Sequence, residues 1–97
     1  MDNNKKRENE TTAEILKALA HPVRLCMVRG LCDDGRHNVS YMESCLDISQ
    51  SGISQHLSKL KAAGIVKGTR EGNEVYYDLC NEKVRDLIKV LFEEEEK

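Results

Sequence analysis

The chain has 97 residues and a mass of 11.0 kDa, at or below the size of one ordinary domain, so one compact domain is expected and a deep enzyme cleft is not. Apolar residues at 39%, charged residues at 33%, one Pro and six Gly describe a mostly helical globule and exclude a collagen-like or disordered chain. The formal net charge of −2 speaks at first against nucleic acid, but a net charge averages over faces that differ in sign.

Met1 to Glu10 are polar and charged with no apolar signal-peptide core, and no run is long and apolar enough to span a membrane. They read as a disordered arm (1–10) ahead of one folded region (11–97), in a chain expected in the cytoplasm. Thr11 or Thr12 can cap a helix carrying Ile15, Leu16 and Leu19 on one side. His21-Pro22 interrupts it. Proline pushes the preceding residue out of the helical region and itself suits a first turn, so a second helix is expected from Pro22 to about Cys32, ended by Asp33-Asp34-Gly35.

A third, short helix fits Ser40 to Leu46, with Ser40 as cap and Met42, Cys45 and Leu46 facing inward. After Asp47-Ile48, Ser49 caps a fourth helix in which Ile53, Leu57 and Leu60 recur at i, i+4 and i+7, and Gly64 stops it. Ile65 to Thr69 and Glu74 to Leu79 read as strands, joined by turn residues at Arg70 to Asn73. Tyr76 and Tyr77 alternate across the second, so one packs on the helices and the other faces outward. A last helix, Asn81 to about Glu95, places Val84, Leu87, Ile88, Leu91 and Phe92 on one stripe. The fold class is mainly α with a small β-hairpin, in the order α-α-α-α-β-β-α.

A short helix, a tight turn and a second helix make a helix-turn-helix, whose second helix enters the DNA major groove. With Ile53 at the centre of the buried stripe, Ser51, Gln55 and Ser58 lie opposite it and Ser54 to one side. An ordinary solvent face favours Glu and Lys pairs, whereas short hydrogen-bonding side chains can donate and accept at base edges. Charge placement agrees. From Ser49 to Arg70 the basic residues Lys59, Lys61, Lys67 and Arg70 meet no acid, giving +4, while the remaining 75 residues carry −6. Such charge suits phosphates, and Arg70 and Asn73 at the hairpin tip can reach a minor groove or the backbone. The plainer reading is a solvated basic face, which leaves the Ser/Gln surface as coincidence.

The runs Ala18-Leu-Ala-His-Pro-Val-Arg-Leu25, Leu46-Asp-Ile-Ser-Gln-Ser-Gly-Ile-Ser-Gln-His-Leu-Ser-Lys-Leu60 and Ala63-Gly-Ile-Val66 resemble the ArsR/SmtB family of bacterial transcriptional repressors, from about Thr12 to Phe92. The resemblance implies a homodimeric winged helix-turn-helix protein that leaves its operator, double-stranded DNA, when an inducer binds or reacts. Its first and last helices would form the dimer interface. It also implies recognition-helix positions at Gln50, Ser51, Ser54, Gln55 and His56 and a wing over about Lys67 to Tyr77. Lys59, Lys67, Arg70 and Asn73 complete the expected DNA-binding set. His56 stands near the edge of the buried stripe, so packing and a phosphate contact are both open.

Hydrophobicity points to the same dimer. The last stripe is wider than a peripheral helix of so small a chain buries alone, and Ile15, Leu16 and Leu19 add a second apolar surface. The expected interface is Ile15, Leu16, Leu19, Leu87, Ile88, Leu91 and Phe92; the alternative is burial of both stripes within one chain.

Metal-sensing members of the family carry Cys-x-Cys at the start of the third helix, or Asp and His on the last. Asn38 and Ser40 occupy the former positions and no His follows His56, so the familiar metal sites are absent. Carboxylates alone, at Glu93 to Glu96, would make a weak and unselective site. Four cysteines remain, with no Cys-x-x-Cys spacing, and in a reducing compartment they read as free thiols, metal ligands or redox sensors. Cys26, among Leu25, Met27 and Val28, reads as a small buried hydrophobe. Cys32 and Cys80 lie at element ends, Cys80 at a helix N-terminus beside Lys83, and Cys45 on the inward side of the third helix. These three are the candidate sensors, through oxidation, persulfide, or a thiophilic metal or metalloid as the one cofactor the sequence suggests. His21 reads as a structural residue of the turn and His37 as a surface loop residue.

The competing class is a winged-helix module for protein–protein contact, but the Ser/Gln face offers no aromatic or Arg anchor for a partner. An enzyme is not expected: the sequence shows no paired carboxylates in a pocket context, no glycine-rich phosphate loop and no nucleophile–base pair.

Overall fold

The elements run α1 (Asn3–Leu19), α2 (Pro22–Asp34), β1 (His37–Asn38), α3 (Val39–Leu46), α4 (Gln50–Ala62), β2 (Val66–Glu71), β3 (Glu74–Leu79) and α5 (Glu82–Phe92) in a computed structural model that describes residues 2–92. The expected end of the last helix near Glu95, and the acids Glu93 to Glu96, lie outside the described residues. Among those described, no helix is long and apolar enough to cross a membrane.

The segment expected as a disordered arm is instead the start of α1. Asp2 caps it, its Oδ1 accepting from the Lys5 amide at 2.8 Å. Lys, Arg and Glu are good helix formers, so polarity denies this stretch a buried face without denying it a helix. Asp2 to Glu14 are all exposed, and Ile15 packs at the edge of the core. The Cα radius of gyration, 14.5 Å, exceeds the ~13 Å of a compact chain of ~100 residues, as a helix reaching past its own core requires.

His21 is extended, with φ −155° and ψ 129°, as the residue before proline should be, and its Nδ1 accepts from the Val23 amide at 3.1 Å while Pro22 occupies the first turn of α2. The cap of α3 is Asn38 rather than Ser40: Asn38 Oδ1 accepts from the Tyr41 amide at 2.8 Å. The reason lies in β1, a strand of two residues that sequence periodicity could not show. Pairing with β3, His37 to Tyr77 and Asn38 to Tyr76, holds Asn38 in the extended backbone an N-cap needs.

The sheet is antiparallel in the order β1-β3-β2. The hairpin turn is tighter than expected. β2 runs on to Glu71, which pairs with Glu74, leaving only Gly72 and Asn73 as the loop, with Gly72 at φ 64°. At the end of α4, Gly64 takes φ 75° and lets the Ile65 amide turn back to Leu60 O at 3.0 Å, which delivers the chain into β2.

One core joins all layers. Val28 and Leu31 of α2, Ile53, Leu57 and Leu60 of α4, Ile65, and Val84 and Ile88 of α5 are almost wholly buried against one another. No polar residue is buried among those described. Leu31→Ala is expected to cost about 2–5 kcal/mol, as truncation in a close-packed core does. Urea unfolding at fixed protein concentration measures it, and an unchanged midpoint would contradict the packing.

Candidate nucleic-acid interface

The turn between α3 and α4 is three residues, Asp47, Ile48 and Ser49. Asp47 adopts the left-handed region at φ 56°, which Asp tolerates better than most residues. Ser49 Oγ then accepts from the Gly52 amide at 3.2 Å and starts α4. Gly52 is required by contact: a Cβ there would come within 2.8 Å of Ile48 Cγ2, so a side chain would push the turn off the helix. Ile53, Leu57 and Leu60 are buried, which fixes the rotation of α4 about its axis.

That rotation turns Gln50, Ser51, Ser54, Gln55, Ser58 and Lys59 outward, all exposed. Ser54, Gln55, Ser58 and Lys59 share one shallow concavity along the helix. Gln50 and Asn73 line a second depression, with Asn38 and Ser40, that joins the start of α4 to the hairpin. Sequence reasoning placed Gln50 and Asn73 separately and gave Asn38 and Ser40 no part in this surface. Lys67 and Arg70 are exposed on β2, opposite Asp78 and Val75. Tyr77 packs on the core, and Tyr76 lies under the Arg36 guanidinium, 4.5 Å from ring centroid to Cζ.

The hairpin carries two acids, Glu71 and Glu74, in directly opposed positions, an unfavourable pairing for the sheet. The segment before α3 bonds both. Arg36 grips Glu71 with a two-pronged bond, 2.7 and 3.0 Å, which holds the Glu71 carboxyl below and the guanidinium above their ordinary pKa ranges. Asn38 Nδ2 donates to Glu74. Arg36 has no local sequence signal for this role, because its partner is distant along the chain.

His56 turns inward. Its ring lies 4.7 Å from that of His21, and Arg24 Nη1 sits 3.3 Å from its Nδ1. Arginine only donates, so Nδ1 accepts and the proton of the neutral ring is on Nε2. Arg24 is itself fixed, its Nε donating to Ala18 O at 2.5 Å. Burial first, then the charges of His21, Arg24 and Lys59, lower the His56 pKa from its ordinary 6.5. Of the two roles open to His56, the geometry favours packing: it ties α4 to the α1–α2 junction.

The apolar residues expected at an interface divide. Leu19 and Ile88 are buried within the chain, Ile15, Leu87 and Phe92 are half-buried at the core edge, and Leu16 and Leu91 are exposed. Val90, which the sequence reading passed over, is 71% exposed.

All four cysteines are free thiols. Cys26 is exposed rather than buried, since its apolar neighbours in sequence point to other faces of α2. Cys45 is exposed too, off the inward side assigned to it, and Cys32 is half-buried against the core. Cys80 is exposed and precedes the helix: its thiol donates to Gly64 O at 3.6 Å, while Asn81 Oδ1 caps the Lys83 and Val84 amides of α5. Among the described residues no three His, Cys, Asp or Glu side chains converge on a metal-sized site.

A family model described as a helix-turn-helix domain matches residues 19–69. The transcriptional repressor PagR of Bacillus anthracis is 42% identical over 84% of this chain and 82% of its own length. Its crystal structure superposes with a TM-score of 0.82 over 89% of this chain and 98% of that one. The chain belongs to the ArsR/SmtB family of winged helix-turn-helix regulators. The biofilm growth-associated repressor of Agrobacterium fabrum is 41% identical over 90% of this chain and 73% of its own. A homodimeric winged helix-turn-helix DNA-binding domain from Mycobacterium bovis, 27% identical, superposes with a TM-score of 0.83 over 94% of this chain and 83% of that one. This ArsR/SmtB chain is therefore a DNA-binding transcriptional regulator and not an enzyme, α4 being the second helix of its helix-turn-helix and β2–β3 its wing.

The His56 contact gives the regulator a pH dependence of known sign. A depressed histidine pKa means the unfolded chain binds more protons, so stability is complete above 6.5 and falls as pH drops through 6.5 toward the folded-state pKa. Thermal melts from pH 8 to 5 should show a decline that His56→Gln flattens. Parallel curves for the two proteins would remove His56 as the cause.

Proposed function

We propose that this regulator is a homodimeric repressor, acting in the cytoplasm, that holds operator DNA with α4 and the wing and is released by inducer chemistry at its cysteines. The observation that carries the DNA reading is the division of α4: Ile53, Leu57 and Leu60 wholly committed to the core, and Ser51, Ser54, Gln55 and Ser58 left outside with hydrogen-bonding groups free to meet base edges. Gln50, Ser51, Ser54 and Gln55 read bases, while Lys59, Lys67, Arg70 and Asn73 meet phosphates or the adjacent groove. Repression is the named role of the PagR and biofilm relatives.

Support for the dimer comes from apolar surface left uncovered among the described residues. Leu16 at 51%, Val90 at 71% and Leu91 at 59% exposure are far from the burial of leucine and valine in a finished core. The Mycobacterium bovis domain is described as homodimeric. Two copies of α4, one helical turn of DNA apart, read a palindromic site. Ile15, Leu16, Leu87, Leu91 and Phe92 remain in the proposed interface, joined by Val90; Leu19 and Ile88 support it from beneath. For the inducer, exposed Cys26, Cys45 and Cys80 are the reachable thiols, and half-buried Cys32 is the less accessible of the expected sensors.

A gel-shift series on duplex DNA from just upstream of the coding region tests the DNA reading. Binding should weaken steeply with salt. Gln55→Ala should cost about 1–3 kcal/mol on the preferred sequence only, and Lys67→Ala should weaken every sequence and lower the salt slope by about 1. No salt-sensitive binding would favour the protein-partner module. In sedimentation, the native chain should run at twice 11.0 kDa and Leu91→Glu nearer 11.0 kDa. A native chain already at the smaller mass overturns the dimer.

A further inference from the structure

A cleft between α2 and α3, about 130 Å³ in volume, collects groups that DNA binding does not use. Cys26 of α2 and Cys45 of α3 both line it, and both are exposed. Tyr41 stands one helical turn before Cys45 on α3 and lines the same cleft, and the neighbouring Cys45 thiol raises the tyrosine pKa from its ordinary value. The His37 ring stacks on Tyr41, with centroids 4.0 Å apart and planes 21° from parallel, and makes a flat aromatic wall. His37 Nε2 is buried without a hydrogen-bond partner, since Asp34 Oδ2 at 3.9 Å is out of range. Met27 and Met42 add soft, polarisable surface.

Gly30 supplies an independent observation. A glycine inside a helix is unfavourable against alanine, and here a Cβ would meet nothing within 4 Å, so packing does not demand it. What its missing side chain does is leave the cleft open.

We propose that this cleft binds a small planar electrophile with carbonyl oxygens, of the quinone class, and that Cys45 captures it. The Cys45 sulfur gives an electron pair to a ring carbon and forms a C–S bond. The thiol proton passes to one quinone oxygen and the hydrogen of the attacked carbon to the other, so the quinone is reduced to a hydroquinone thioether and no other reactant is needed. Tyr41 lines the cleft beside Cys45, the His37–Tyr41 stack faces the ring, and His37 Nε2 is the polar partner for a ring oxygen. The adduct wedges α3 away from α2, and α3 is the helix on which α4 packs. That consequence rests on the repressor reading above; the capture itself does not.

The test treats the full chain with substoichiometric 1,4-benzoquinone and follows all four cysteines by peptide mass spectrometry. Cys45 should react about tenfold faster than Cys80, which is also exposed, the rate being set by the site and not by access alone. Gly30→Leu should erase that advantage and leave the Cys80 rate unchanged, with circular dichroism reporting the fold; Gly30→Ala should reduce it in part. Equal Cys45 and Cys80 rates in the native chain, or unchanged selectivity in both Gly30 variants, overturn the site. Binding of upstream DNA is measured on the same samples. Adducted protein that binds as tightly as untreated protein overturns the regulatory consequence. Untreated protein that binds no DNA overturns the repressor reading alone, because the labelling rates are read without DNA.

Discussion

One face of α4 is held by the core, and that single commitment decides what the other face can do. Ile53, Leu57 and Leu60 are buried to within 2% exposure or less, so the helix cannot rotate about its axis without opening cavities. Gly52 beneath Ile48 and the left-handed turn at Asp47 fix its approach to α3. Everything functional on the outward side inherits its position from those apolar contacts. Ser51, Ser54 and Ser58 there are short, and short side chains meet a partner's polar groups only where the backbone beneath them is rigidly placed.

The same economy governs charge. A net charge of −2 conceals +4 from Ser49 to Arg70, and the wing's own acids threaten to cancel it. Arg36 offsets the Glu71 charge with an ion pair, and Asn38 ties Glu74 down with a hydrogen bond that leaves its charge in place. These bonds are exposed, so their worth lies less in stability than in geometry: they tie the hairpin tip to the segment that caps α3. Helix-turn-helix and wing thus share one anchor, and His56, held by Arg24 and His21, provides another between α4 and the α1–α2 junction.

The parts legible in the sequence were those with local, repeated signals. Ser49, the Ile53, Leu57, Leu60 spacing and Gly64 stated α4 in full, and His21-Pro22 stated the start of α2. The parts missed had none. β1 is too short to show a period, and its pairing with β3 is what moves the α3 cap from Ser40 to Asn38. The polar start of α1 lacked an apolar stripe, which governs burial and not helicity. Cys26 was misjudged from its neighbours in sequence, although adjacent helical residues point in different directions. Arg36, Val90 and the α2–α3 cleft depend on contacts or exposure that only the folded chain defines.

α4 and the wing are the surface proposed to meet DNA. Backbone amide shifts of the full chain, followed by NMR as upstream duplex DNA is added, test this most directly. The largest changes should fall on Gln50 to Lys59 and on Lys67 to Asn73, with smaller ones at Asn38 and Ser40. Changes confined to α1 and α5, or none at salt low enough for phosphate contacts to form, would contradict it.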